Sequence, residues 1–267
     1  MHRFSLITDN LSFRRTWRGV RVVASLLVTL VLAAGCGGND EEFDLTSSIR
    51  EAYVEAQQAM GGGNYRKAIG IFEALQARFP FSEFATQIQL ELTYAYYKDG
   101  RTEQAIDAAD TFMRENPTHN RIDYALYIKG LAYFDRGQTF LERLFRKRMD
   151  RRPPRDGQLA FSTLARLVER YPASEYAADA EQRLVYLKNR LAAYENAVAH
   201  FYMERDAYVA ALNRAKTALE TYHGSDSSAE SLQLMIAAYE GLGMTELAND
   251  AKRVLQINYP GTPVARN

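Results

Sequence analysis

Five times along this chain a small residue, a second residue four places on and a closing residue twelve places on recur in the same order. The sets are Ala68, Phe72 and Pro80; Ala105, Ala109 and Pro117; Ala160, Leu164 and Pro172; Ala211, Ala215 and His223; and Ala248, Lys252 and Pro260. Residues four apart lie one turn apart on the same face of a helix, so each set marks a helix whose packed face begins with a small side chain. Proline closes four of the five sets, because it has no N–H to donate and clashes with the preceding turn. Such regular punctuation belongs to a stack of two-helix repeats, in which each unit buries its apolar face only against its neighbours.

The stretches between these marks are rich in Ala, Leu, Glu, Arg and Tyr, with apolar residues recurring at three and four, and lack the alternation of half-buried strands. First-helix signatures precede each set: Ala56, then Leu92 and Tyr96, Gly130 and Tyr133, Ala199 and Tyr202, and Tyr239. Gly61-Gly62-Gly63-Asn64, Asp99-Gly100 and Gly241-Leu242-Gly243 provide the turns between paired helices, where positive φ is wanted. The pattern predicts an all-α tetratricopeptide-repeat solenoid of about five helix-turn-helix units. The closing residues lie 37, 55, 51 and 37 positions apart, so units three and four are enlarged. In unit three the excess is an insertion over 134–158; in unit four it lengthens the first helix, which runs without Gly or Pro from Ala178 to Tyr202. That helix is expected to join two sub-arrays, 48–177 with repeats one to three and 178–267 with repeats four and five.

The N-terminus has a different logic. Arg14, Arg15, Arg18 and Arg21 precede the apolar run Val22–Ala34, followed by Gly35 and Cys36. A basic head, a short apolar middle and small residues form a secretory signal, and the run is well below the roughly 20 residues a membrane-spanning helix needs. Leu32-Ala33-Ala34-Gly35-Cys36 resembles a bacterial lipobox, with Leu32 one place earlier than usual. Residues 1–35 are therefore expected to be removed, and the thiol of Cys36, a strong nucleophile once ionised, to receive a diacylglycerol and an acyl chain. Each buried methylene adds about 0.8 kcal/mol of anchoring, so several chains hold a soluble body at a membrane. Residues 36–47, Gly-rich and acidic, read as a flexible tether.

Composition narrows the function. The chain has 33 basic and 33 acidic residues, but without residues 1–35 the counts become 28 and 32, a net of −4 that lacks the positive field of a nucleic-acid binder. A single cysteine excludes an internal disulfide framework and Cys-based zinc sites. His119, His200 and His223 have no ligand at metal spacing, and neither a nucleophile elbow nor a phosphate-binding loop is present. No catalytic role, metal or dissociable cofactor is expected. The insertion carries Arg143, Arg146, Lys147, Arg148, Arg151, Arg152 and Arg155 interleaved with Leu141, Leu144, Phe145 and Met149. It reads either as an amphipathic basic helix for anionic lipid or an acidic partner, or as a solvated loop.

The aromatics are the other signal. Tyr94, Tyr96 and Tyr97, then Tyr124, Tyr127 and Tyr133, lie on the first helices of units two and three, with Phe79, Phe81 and Phe84 between units one and two. First helices line the binding face of such arrays, where Tyr supplies stacking area and a hydroxyl for a peptide segment; the alternative is that these rings fill the inter-helix core.

The blocks Ala77-Arg-Phe-Pro-Phe-Ser-Glu-Phe-Ala85, Leu92-Thr-Tyr-Ala-Tyr-Tyr97, Asn116-Pro-Thr-His119, Ile122-Asp-Tyr-Ala-Leu-Tyr127, Gly130-Leu131 and Arg183-Leu-Val-Tyr-Leu-Lys-Asn-Arg-Leu191 resemble the BamD family, tetratricopeptide lipoproteins of the outer-membrane β-barrel assembly machine. The likeness covers nearly the whole chain after Cys36; the Arg-rich insertion departs from it. The resemblance implies a non-enzymatic scaffold, lipid-anchored at the periplasmic face of the outer membrane. Its partners would be a BamA-like barrel protein, bound through the C-terminal repeats, other assembly-complex lipoproteins, and unfolded outer membrane protein precursors. On this reading Phe81, Phe84, Tyr94, Tyr97 and Tyr127 line the precursor groove and Arg214 is a docking residue. A periplasmic coordinator of cell division on the same fold, without lipidation, is the competing reading.

Overall fold

A computed structural model describes residues 49–136 and 155–263; the signal, Cys36, the tether and residues 137–154 of the insertion lie outside them. The described residues form ten helices: α1 (Ile49–Gly61), α2 (Tyr65–Arg78), α3 (Ala85–Lys98), α4 (Thr102–Glu115), α5 (Ile122–Arg136), α6 (Arg155–Arg170), α7 (Ala177–Met203), α8 (Tyr208–Thr221), α9 (Ser228–Gly241) and α10 (Thr245–Asn258). Each packs on the next, and α3 also meets α5 while α7 meets α9. First helices thus adjoin first helices, as the repeat pattern requires.

The punctuation has a direct structural meaning. Ala68, Ala105, Ala160 and Ala211 are fully buried and Ala248 nearly so, together with Phe72, Ala109, Leu164 and Ala215 at the next turn. In unit five the matching position is Lys252, which is half-buried and pairs with Glu240 at 2.6 Å. The residue before each proline makes the last helical bond: Phe79, Asn116, Tyr171 and Tyr259 donate to Leu75, Phe112, Leu167 and Leu255 at 2.8–2.9 Å. The proline that follows has nothing to donate, and the helix stops.

Turns within units share one geometry. Gly63, Gly100 and Gly243 have φ of 76°, 79° and 72°. Each donates to the carbonyl three residues back, while the following residue donates to the carbonyl five back, as in Asn64 N to Ala59 O at 2.8 Å. This double bond pattern satisfies the last helical carbonyls. Unit four makes the same turn with Asp206 at φ 54°, bonded to Met203 O, and Ala207 bonded to Tyr202 O. The sequence carried no glycine there, so the turn was not visible; aspartate is among the few other residues that occupy this region.

Helices approach closely at Gly241, where a Cβ would stand 2.6 Å from the Tyr208 ring, and at Gly130 on α5, where it would stand 2.4 Å from Leu164 Cδ2 of α6. Gly70, exposed in the middle of α2, has nothing within 4 Å of the same position. Gly130 and Gly70 should therefore respond oppositely in urea unfolding. Gly130→Ala is expected to destabilise by about 1–3 kcal/mol through overpacking, and Gly70→Ala to stabilise by about 0.5–1 kcal/mol through helix propensity.

Candidate functional site

The first helices are bridged by side chains that form a continuous seam from α1 to α9. Gln57 of α1 donates to Glu91 of α3 at 2.9 Å. The Tyr97 hydroxyl of α3 donates to Asp135 of α5 at 2.7 Å. The Tyr127 hydroxyl of α5 donates to Asp179 of α7 at 2.8 Å, and Arg183 Nε donates to the same oxygen at 2.6 Å. Asn196 of α7, fully buried, donates to Glu230 of α9 at 3.2 Å and accepts from Ser231 at 2.7 Å. Every bridge joins one repeat to the next and leaves few buried polar atoms without a partner.

Aromatic rings accompany the bridges. Phe84, just ahead of α3, stacks on Tyr53 of α1 at 4.9 Å between centroids. Tyr94 meets Tyr65 edge-on at 6.2 Å, and the Lys98 ammonium lies 5.8 and 5.9 Å from those two rings. Tyr127 stacks on Tyr176 at 4.7 Å, while the Arg121 guanidinium lies 5.0 Å from Tyr124 and its Nη2 donates to the Tyr176 hydroxyl at 2.9 Å. Such offset rings and cation contacts hold their shape without burying the rings fully.

Phe84, Tyr94, Tyr97 and Tyr127 are thus half-buried members of the seam. Phe81 stands apart: it is 98% exposed on the turn before α3 and has no ring partner among the described residues. Arg214 of α8 has an internal task, since Nη1 donates to Glu195 at 3.1 Å. Glu195 is only 2% exposed, so this guanidinium balances a buried carboxylate. Sequence reasoning missed Tyr53, Arg121, Tyr176, Asp135 and Asp179. The repeat pattern held a signal for two of them: Phe84, Arg121 and Tyr176 occupy one equivalent position, each accepting through its carbonyl the first helical N–H of α3, α5 and α7.

Electrostatics keeps the seam neutral at its hydroxyls. Burial, then the bond to Asp135, raises Tyr97 well above the ordinary tyrosine range. Burial and the bond to Asp179 push Tyr127 up to about 12. Burial alone would raise Asp179, but the bonds from Arg183 and Tyr127 outweigh it and hold the carboxyl below its usual value. Both of these hydroxyls, of Tyr97 and Tyr127, donate to a carboxylate. No three of His, Cys, Asp and Glu converge as metal ligands among the described residues.

Two expectations follow from this geometry. Because Tyr127 titrates higher in the fold than its ordinary 10.0, its contribution is complete below about pH 10 and disappears as pH rises through about 12. Asp179, held below its ordinary 3.8, contributes above that pH and loses its contribution on further acidification. Thermal midpoints measured against pH should fall on both sides, with Tyr127→Phe weakening the alkaline loss. Arg214→Ala should cost about 1–3 kcal/mol by leaving a buried carboxylate without its partner, and adding Glu195→Gln should restore most of it in the same unfolding assay.

Residues 46–255 match the family described as YfiO, outer membrane lipoprotein. The chain is 39% identical over 246 residues to the outer membrane protein assembly factor BamD of Neisseria meningitidis serogroup A, covering 91% of this chain and 92% of that protein. It is 37% identical over 233 residues to the protein of the same name from Vibrio cholerae, covering 87% and 96%. Among solved structures, a MamA protein superposes with a TM-score of 0.38 and 16% identity, over 81% of this chain and 98% of that one, a level from which nothing further follows. A match over most of the chain, with relatives above 30% identity across nearly their whole length, places the sequence by descent: the chain belongs to the YfiO family of outer membrane lipoproteins.

Proposed function

We propose that this chain is a non-enzymatic scaffold for outer membrane protein assembly, lipid-anchored through Cys36 at the periplasmic face of the outer membrane. The observation that carries the reading is its near full-length kinship with proteins named as outer membrane protein assembly factors. The seam supports it, because its polar groups are engaged between repeats and its half-buried rings are left to meet a guest. No helix among the described residues is long and apolar enough to cross a membrane. Residues 1–35 are the removed signal, 36–47 the tether, and the acyl groups on Cys36 the only non-protein component.

In this scheme Phe84, Tyr94, Tyr97 and Tyr127 receive extended segments of unfolded barrel precursors, with Tyr53 and Tyr176 completing the ring surface. The C-terminal repeats, 178–267, dock a BamA-like barrel protein, with other lipoproteins of the complex bound alongside. Arg214 is 44% exposed beyond its bond to Glu195, so its free edge serves docking while the pair holds it in place. Nucleic acid has no part, consistent with the net of −4 after residue 35.

The two tyrosines of α3 separate binding from stability. Tyr94 makes only ring and cation contacts, whereas Tyr97 also bridges to α5. Tyr94→Ala should therefore weaken binding of a precursor C-terminal peptide by about tenfold, the cost of one truncated aromatic anchor, with helicity and unfolding midpoint little changed. Tyr97→Ala should lower both. Detergent extraction of the envelope followed by affinity capture and mass spectrometry should recover a barrel protein with tandem periplasmic domains; its absence, with cell-division proteins in its place, would overturn the scaffold reading. Cys36→Ala should release the protein from the membrane fraction.

A further inference from the structure

The turn between units has one tip position, the residue after the closing proline or histidine, and it is exposed in every unit: Phe81, Thr118, Ala173, Gly224 and Gly261. The turns before α3, α5 and α7 share their hydrogen bonds, with Ser82, His119 and Ser174 donating to Phe79, Asn116 and Tyr171 at 3.0–3.1 Å. Threonine and alanine make the same turn, so its geometry does not call for a phenylalanine. The ring at position 81 is 98% exposed, the most of the large exposed apolar side chains in the described fold. It gives the folded body no packing that would account for it.

Its place in the chain suggests what covers it. Glu83, two residues on, bonds to Arg50 at 3.3 Å, and Phe84 stacks on Tyr53, so the tip lies beside the start of α1, where the tether enters. Cys36 is thirteen residues before Ile49. That length spans at most about 45 Å at full extension, and about 20 Å as a flexible coil. Arg78, exposed, lies 5.7 Å from the Phe79 ring, so a cation flanks the tip. An aromatic ring beside a cation suits the headgroup–acyl boundary, where the ring enters the apolar layer and the cation stays with the phosphates. One ring alone binds a bilayer weakly, but a short tether makes its insertion intramolecular and raises its effective concentration.

We infer that Phe81 is a second membrane contact, seated in the lipid interface and turning a single flexible tether into a two-point attachment that orients the seam. This rests on the reading of Cys36 as the lipid anchor.

The only tryptophan is Trp17, ahead of Cys36, so the chain from Cys36 onward offers a dark background. Residues 48–267 cluster as a compact unit of their own, which such a chain retains whole. Its single thiol can be coupled to a maleimide lipid in phosphatidylethanolamine–phosphatidylglycerol vesicles, supplying the anchor chemically. The Phe81→Trp variant should then shift its emission to shorter wavelength and be quenched by a nitroxide lipid labelled near the headgroup, while the Thr118→Trp variant keeps the emission of an indole in water. Emission from Phe81→Trp that does not change on coupling overturns the inference. So does a shift that needs a precursor peptide and no vesicle, which would assign the ring to the groove. Mass spectrometry of the N-terminal peptide from native envelopes separates the two claims. Acylated Cys36 without the vesicle shift leaves the anchor standing and removes the Phe81 contact, whereas unmodified Cys36 removes both.

Discussion

The contact of Gly130 with Leu164 is the point on which continuity of the array depends. In the other four units a short turn with one residue at positive φ joins the paired helices and sets their geometry. In unit three α5 and α6 are separated by residues 137–154. Eighteen residues stand there in place of the short turn of the other units. Among the described residues the pairing is made by the helix surfaces. Gly130 lets Leu164 into contact, and Arg136 at the end of α5 bridges Asp156 of α6 at 2.6 Å and Glu103 of α4 at 2.7 Å. Everything from α7 onward stacks on the result, because Ile122, Leu164 and Leu167 share one buried cluster with Leu187 and Leu191 of the long helix.

Much of this was legible in the sequence because repeats state each rule several times. The buried alanine, the closing proline and the positive-φ glycine each recur, and each has a steric cause that leaves few substitutes. Departures were harder to see where another residue meets the same physical need. Asp206 takes the glycine's conformation, and Lys252 takes a core position by extending its ammonium to Glu240. The aromatic content of the first helices marked the seam, but not which rings touch. Asp135, Asp179 and Arg183 could not be separated from ordinary surface charge, because their meaning lies in the next repeat, 38 to 56 residues from the tyrosine each serves. The internal bond of Arg214 was hidden for the same reason: Glu195 shares its helix with the exposed Glu181 and the half-buried Asp179, and only packing shows it buried.

The seam also shows what occupies the hydroxyls of two of its tyrosines. A general base or nucleophile needs a titratable group near neutrality and free to move a proton. Here the hydroxyls of Tyr97 and Tyr127 are held in their neutral forms by burial and by donation to Asp135 and Asp179. These interactions are directed sideways, from repeat to repeat. On the proposed reading, what remains for a guest is the half-exposed face of each ring and the spacing between rings.

That division suits the proposed work. A scaffold for many different precursors gains little from hydrogen-bond donors aimed at one side-chain pattern, because a polar site left unmatched costs more than a matched one contributes. Ring faces are tolerant partners, attracting apolar, aromatic and cationic groups without strict geometry. On the proposed reading, the Tyr97 and Tyr127 hydroxyls, committed to the neighbouring repeat, leave those two rings little side-chain entropy to lose on binding. Selectivity would then come, on that reading, from the order in which ring surfaces follow one another along the array. Tyr53 with Phe84, Tyr65 with Tyr94, and Tyr127 with Tyr176 form three such surfaces, and the bridges that join the repeats determine their register.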